Sequence, residues 1–311
     1  MSSQVIQVNN LSKDFGEVLA VDNISFSVDQ AEIFGFLGPN GAGKTTTIRM
    51  MTGVLKPTSG VIKIYGKNVW KNQLKVKQIL GNVPEMANVY MDLTGLQNLN
   101  FLGEVYGIPK SERKEKALNL LKKFELFKRR DSLAKRYSKG MKQRLLLCMA
   151  LMSNPKVLFL DEPTSGLDVH SSIIIKNIIK EYNKDGMTIF LTTHNMDIAN
   201  EMCDRIAIIN KGKIIRLDTP ENLRAIEKEY QSIDLYLSEK IDLSALEKLG
   251  GIEQVKQIKN YYHLIVNNID EAIQQIIEFT RSFGIKINKI NTPEPSLEEV
   301  FISAINGGEK N

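Results

Sequence analysis

Residues 4–32 alternate apolar and polar positions, as in Ile24-Ser25-Phe26-Ser27-Val28, which predicts antiparallel strands. The rhythm then changes. Residues 32–37 form a short apolar run that reads as a buried strand, and residues 46–52 read as a helix start. A turn cluster at 55–60 precedes a strand at 61–65. Residues 79–85 end another strand at a carboxylate, Glu85. From there to about residue 150 the pattern is helical. Leu96, Leu99 and Phe101 fit one helix, and the run 111–127 places Ala117, Leu120, Leu121 and Phe124 on one face. Residues 137–144 open a further helix with Ser138 as its N-cap. Residues 157–162 and 187–193 are short buried strands, and 205–216 reads as a hairpin turning at Lys211-Gly212.

Residues 217–220 close a first domain, 1–220, with a helical subdomain at about 86–150. The remainder, 221–311, has its own rhythm. It reads as a strand at 233–237, a helix at 242–249 and a hairpin of 255–259 with 261–266. An amphipathic helix at 269–283, a strand at 285–290 and a last helix from Ser296 with Leu297, Val300 and Phe301 follow. That βαββαβ-like order predicts a small α+β domain, with no catalytic constellation in it.

At 311 residues, with 42% apolar and 25% charged positions, the chain has an ordinary globular composition and more than one average domain. A net charge of +5 permits an anionic partner without demanding nucleic acid, and none is expected. The basic positions Lys122, Lys123, Lys128, Arg129, Arg130, Lys135 and Arg136 read as a solvated helical surface, with an anionic-lipid patch as the alternative. Cys148 and Cys203 lack a CxxC spacing and read as reduced core thiols of a cytosolic protein. The N-terminus is polar and shows no signal peptide, and no apolar run approaches the ~20 residues that span a bilayer. Any membrane role is therefore expected to pass through a partner.

The candidate chemistry centres on Gly38-Pro39-Asn40-Gly41-Ala42-Gly43-Lys44-Thr45-Thr46, which fits the phosphate-loop pattern GxxxxGK[ST] between a predicted strand and a predicted helix. The glycines let the loop turn backbone N–H groups toward a phosphate, and the helix adds its positive end. Lys44 suits the β- and γ-phosphates, and the Thr45 hydroxyl suits Mg²⁺. Asp161 and Glu162 end a strand. Adjacent strand residues point to opposite faces, so Asp161 suits the Mg²⁺ shell and Glu162 a base that polarises water. Asp168 follows in Ser165-Gly166-Leu167-Asp168, and His194 stands at a strand's carboxyl end, where open α/β sheets bind ligands. Phe15 reads either as a hydrophobic plug or as a face for adenine. Ser138 and Gly140 read either as a plain helix cap or as an anion contact. His170 and His263 read as structural.

In this order the motifs resemble those of the ATP-binding-cassette (ABC) ATPases over residues 4–220. Residues 38–45 match Walker A, 157–162 Walker B with its catalytic glutamate, and 165–168 the D-loop. His194 matches the switch histidine, Phe15 the adenine-stacking aromatic, and 137–143 the signature. The resemblance implies an α/β P-loop NTPase: a RecA-like core with an antiparallel β-subdomain and an inserted α-helical subdomain. It implies ATP and Mg²⁺ as cofactors, with Asp168 and Lys44 joining Glu162 and His194 in hydrolysis.

Two departures are visible. The usual LSGGQ signature is Tyr137-Ser138-Lys139-Gly140-Met141, and the Q-loop glutamine is Glu85, placed with the metal ligands Thr45 and Asp161. Both variants, and the tail at 294–301, are similar to those of the drug, antibiotic and sodium exporters. In that branch the ATPase and the permease are separate chains. The resemblance further implies a head-to-tail pair of identical subunits, with Ser138 and Gly140 contacting the partner's ATP. It implies an integral membrane permease docking near 86–91, a run apolar enough for either a partner groove or the helical subdomain's own core, and a place on the cytoplasmic face of the membrane. The rival reading is a cassette protein without a permease, acting as a nucleotide-dependent regulator.

Overall fold

A computed structural model describes residues 4–86, 89–226, 231–293, 298, 300 and 301. The chain divides into two compact units, Met1–Thr219 and Pro220–Asn311. The first opens with β1 (Gln4–Asp14), β2 (Leu19–Asp29) and β3 (Ile33–Leu37), followed by α1 (Lys44–Met51). It continues through β4 (Ser59–Ile64), β5 (Lys67–Asn68), α2 (Gln73–Lys77) and β6 (Leu80–Val83). Three helices follow, α3 (Gly95–Val105), α4 (Lys110–Lys123) and α5 (Lys139–Leu151). The unit ends with β7 (Val157–Asp161), α6 (Val169–Lys184), β8 (Thr188–Thr193), α7 (Met196–Met202), β9 (Arg205–Asn210) and β10 (Lys213–Asp218).

These strands make an antiparallel sheet, β2-β1-β4-β5, and a six-stranded sheet, β10-β9-β3-β8-β7-β6. The second is parallel except at β10. Every residue of β3, β7 and β8 is buried. Covered on both faces, such strands carry continuous apolar runs rather than alternation. Phe26 of β2 stacks on Phe34 of β3 at 5.4 Å, and Phe34 on Phe190 of β8 at 5.6 Å, so aromatic rings join the two sheets. The hairpin β9–β10 turns at Lys211 (φ 46°) and Gly212 (φ 80°), left-handed values that suit a two-residue hairpin turn.

The helical segment is organised by caps and burial. Thr94 and Gln97 form a reciprocal capping box that starts α3. Ala117, Leu120, Leu121 and Phe124 are all buried, although α4 stops at Lys123 and the chain leaves through Glu125 in a left-handed conformation. Helix α5 is buried from Gln143 to Leu151 on every side, as a central helix must be. The helix after the phosphate loop begins at Lys44, two residues before the expected start, because Gly43 already serves as its N-cap. Of the basic positions, Lys123 is not simply solvated. It pairs with Glu181 at 2.9 Å and lies over the Tyr182 ring, tying α4 to α6.

The second unit contains α8 (Pro220–Ile226), β11 (Gln231–Leu237), α9 (Leu243–Glu247), β12 (Ile252–Ile258), β13 (Tyr261–Val266), α10 (Ile269–Ser282) and β14 (Ile287–Asn291). Its sheet is antiparallel in the order β12-β13-β11-β14, a ferredoxin-like split βαβ arrangement. Ile233, Leu235, Leu264, Val266, Ala272 and Ile276 form its core. The strand expected from Ile285 begins at Ile287, since Ile285 N–H donates to Thr280 O and closes α10. Ser296 and Leu297 lie outside the described residues; Val300 and Phe301 are helical. His263 pairs with Asp234 at 2.7 Å.

Candidate active site

Three neighbouring strands deliver the site. Leu37 pairs with Thr193, and Thr192 pairs with Asp161, so β3, β8 and β7 end side by side. The residues that follow those ends, Gly38, His194 and Glu162, are thereby gathered at one edge of the sheet, the carboxyl edge where such folds bind ligands. Gly38 N–H donates to Thr193 O across this edge at 3.4 Å.

The phosphate loop then turns into α1. Gly43 takes φ 109°, and a Cβ there would stand 2.5 Å from Ala20 O, so only glycine fits. Gly41 takes φ 81° with open space around it. Helix α1 has no side-chain cap and no acid in its first turn, which leaves its first N–H groups and positive dipole end to an anion. Lys44 is only 6% exposed. Its ammonium donates to Gly38 O at 2.7 Å and Pro39 O at 3.2 Å, and lies 3.5 Å from Glu162 Oε1.

Asp161 and Glu162 are both buried, but alternation along a strand does not separate them. Strand β7 stops at Asp161, and Glu162 adopts φ 51°. That left-handed residue swings its carboxylate toward the loop. Glu162 Oε1 lies 2.9 Å from Nδ1 of the half-exposed His194. Neither this contact nor the one to Lys44 is aligned as a hydrogen bond, so Oε1 is a buried acceptor without an aligned donor. Asp161 Oδ1 accepts from the Thr192 hydroxyl at 2.6 Å. Thr192 was not singled out from the sequence. A threonine in an apolar strand carries no motif, and only the β7–β8 register reveals its partner.

A cleft of about 290 Å³ opens at this edge. It is lined by Ala20, Pro39, Asn40, Gly41, Gly43, Lys44, Thr45, Thr46, Glu85 and Glu162. Gly38 and Ala42 are buried beneath it in the loop's base. Exposed Glu85 follows β6 and lines the cleft; Asp161, at the end of β7, is buried and is not among the residues that line it. Phe15 is exposed in the β1–β2 turn, five residues before Ala20.

Ser138, Gly140 and Asp168 do not line the cleft. Ser138 Oγ caps α5 by accepting from Met141 N–H at 3.2 Å. Asp168 caps α6, accepting from the Ser171 N–H at 2.8 Å and the Ser171 hydroxyl at 2.9 Å. These bonds, the backbone one first, hold the Asp168 carboxyl below its ordinary pKa. Gly140 abuts Ser171 so closely that a Cβ would collide with its hydroxyl.

The residues fit a nucleoside triphosphate with a magnesium ion. The loop offers backbone N–H groups in a cradle that a Cβ at Gly43 would disrupt, a buried ammonium, and a buried carboxylate oxygen without an aligned donor. Among the described residues no three His, Cys, Asp or Glu side chains cluster as metal ligands. Among the described residues, no helix is long and apolar enough to cross a membrane.

Comparison with known proteins follows the same division. The ABC transporter family profile matches residues 21–165, and that of the ATP-binding protein DrrA1-3-like C-terminal domain matches residues 222–305. The linearmycin resistance ATP-binding protein LnrL of Bacillus subtilis (strain 168) is 33% identical over 96% of this chain and 97% of its own. The bacitracin transport ATP-binding protein BcrA of Bacillus licheniformis is 32% identical over 98% and 99%. A solved ATP-binding cassette, MJ0796, described as dimeric in a post-hydrolysis state bound to ADP and Pi, covers 69% of this chain and 98% of its own. It does so with a TM-score of 0.64 and 26% identity. Matched in both its parts and along nearly its full length, this protein belongs to the ABC transporter family, as an ATP-hydrolysing subunit that energises a separate permease.

Proposed function

We propose that this protein is the Mg²⁺-dependent ATPase of a drug- or antibiotic-type exporter, working as a head-to-tail pair of identical subunits on the cytoplasmic face of the membrane. One observation carries the reading: Glu162 Oε1 is a buried carboxylate oxygen held between Lys44 Nζ and His194 Nδ1 beside the phosphate loop. Bound Mg²⁺·ATP would supply a γ-phosphoryl group open to attack by water. Glu162 takes the proton of that water, and His194 keeps the carboxylate aimed at the cleft. Lys44 exchanges the Gly38 and Pro39 carbonyls for phosphate oxygens and offsets their charge. Gly41 and Gly43 to Thr46, which line the cleft, supply backbone N–H groups around the phosphates. Thr45, Glu85 and Asp161 would give a metal ion its oxygen ligands, and Phe15 would offer its ring to adenine.

The second copy is supported by Ser138, Gly140 and Asp168. They cluster at the joined starts of α5 and α6, away from their own subunit's cleft. A partner's signature helix would cover the nucleotide from outside. Export is supported by relatives named for linearmycin resistance and bacitracin transport. An apolar surface suits the permease: Met86, Tyr90, Met91 and Phe101 are exposed, with Tyr90 and Phe101 packed edge to face at 4.8 Å. Ala87 and Asn88 of that run lie outside the described residues. We assign residues 1–220 to the cassette and 221–311 to an accessory domain.

Replacing Glu162 with Gln tests the reading. ATP binding should persist while turnover falls by ~10²–10⁴, and the ATP-bound pair should accumulate. Turnover close to that of the wild type in purified Glu162→Gln protein would remove Glu162 from its role.

A further inference from the structure

We propose that Thr192 is a positioning residue for ATP hydrolysis: its hydroxyl sets the metal-side carboxylate of Asp161 and, together with its own carbonyl, the backbone turn that aims Glu162. The inference rests on the Mg²⁺·ATP reading of the cleft.

Thr192 is fully buried on β8, paired in register with Asp161 of β7. A threonine hydroxyl has one proton to donate and lone pairs to accept with. Here both capacities are spent on the acidic pair. Thr192 Oγ1 donates to Asp161 Oδ1 at 2.6 Å, a charge-assisted bond that fixes the carboxylate plane. The same oxygen accepts from Glu162 N–H at 3.1 Å, and Thr192 O lies 3.2 Å from that N–H.

Glu162 sits at φ 51°, a region that residues with a Cβ seldom occupy unless their surroundings hold them there. The two oxygens of Thr192 are that hold. The next residue, Thr193, bonds the first glycine of the phosphate loop through its carbonyl, and His194 then contacts Glu162. The end of β8 thus touches the first glycine of the phosphate loop, Asp161 and Glu162, and among the described residues Thr192 is the side chain of β8 bonded to Asp161.

Valine has the shape of threonine without the hydroxyl, and serine keeps the hydroxyl without the methyl group. We expect Thr192→Val to bind ATP in the presence of a chelator within about twofold of wild type. Its gain in ATP affinity on adding Mg²⁺ should shrink by about tenfold, and kcat at saturating Mg²⁺·ATP should fall by about tenfold or more. Thr192→Ser should recover both to within about threefold. Thr192→Ala, which cannot crowd the strand, should repeat the valine result.

A purely structural threonine would lower the thermal midpoint while leaving kcat per folded molecule and the Mg²⁺ gain unchanged. That pattern overturns the proposal. So does failure of both Val and Ala variants to fold while Ser folds, since the hydroxyl would then serve the fold. If wild-type ATP affinity itself shows no rise with Mg²⁺, the Mg²⁺·ATP reading fails and the positioning role falls with it.

Discussion

At Glu162 Oε1 an ammonium and an imidazole approach one carboxylate oxygen within 3.5 Å. Such a group cannot be moved cheaply, because truncating one member leaves a buried charge without a partner. Glu85 is the other acid of the cleft, and it is exposed. A glutamine there would offer a carbonyl oxygen and N–H donors; the glutamate offers only oxygen and adds a negative charge. With Mg²⁺ present the charge is matched by a hard cation. Without it, Glu85 and Glu162 face the triphosphate together and repel it. ATP binding should therefore depend strongly on Mg²⁺, and Glu85→Gln should weaken that dependence. ATP titrations with Mg²⁺ and with a chelator measure it, and equal dependence in the two proteins would leave Glu85 with only a hinge role.

Two elements meet closely where α5 and α6 begin. Gly140 leaves room for Ser171, and Ser171 closes two bonds on Asp168. The Asp168 carboxyl is ionised more readily in the folded protein, so its cap strengthens the fold above the ordinary carboxylate range, about pH 4. The contribution is lost as pH falls through the lowered folded-state value. Asp168→Asn keeps a capping oxygen but no charge. Its thermal midpoint should lie below that of the wild type at neutral pH, and the gap should close in acid. A gap that stays constant from neutral pH to pH 2 would mean that the charge adds nothing to the cap.

For the whole molecule, the decisive issue is whether one chain suffices. If Ser138 completes a partner's site, specific ATPase activity rises with protein concentration. A Ser138→Arg protein mixed with a Lys44→Ala protein should then regain activity that each lacks alone. Each mixed pair holds one site with an intact Lys44 and an intact facing signature. With both proteins folded, the absence of recovery at every mixing ratio would count against a shared site.

Local chemistry alone determined much of this protein. The phosphate loop needs glycines and a lysine at fixed spacing, buried parallel strands need continuous apolar runs, and helix starts need capping side chains. Residues 38–46, the strands around them and the cap at Ser138 are legible for that reason. The βαββαβ order of the second unit was legible too, but not that its first strand lies between its third and fourth. What the tertiary structure decided is what depends on pairing between distant strands. The register of β7 on β8 sets Thr192 against Asp161, and a single left-handed residue, rather than strand alternation, turns Glu162 toward Lys44 and His194. Neither follows from a pattern along the chain, because a hydroxyl's partner is fixed by the neighbouring strand and a positive φ by the contacts that hold it.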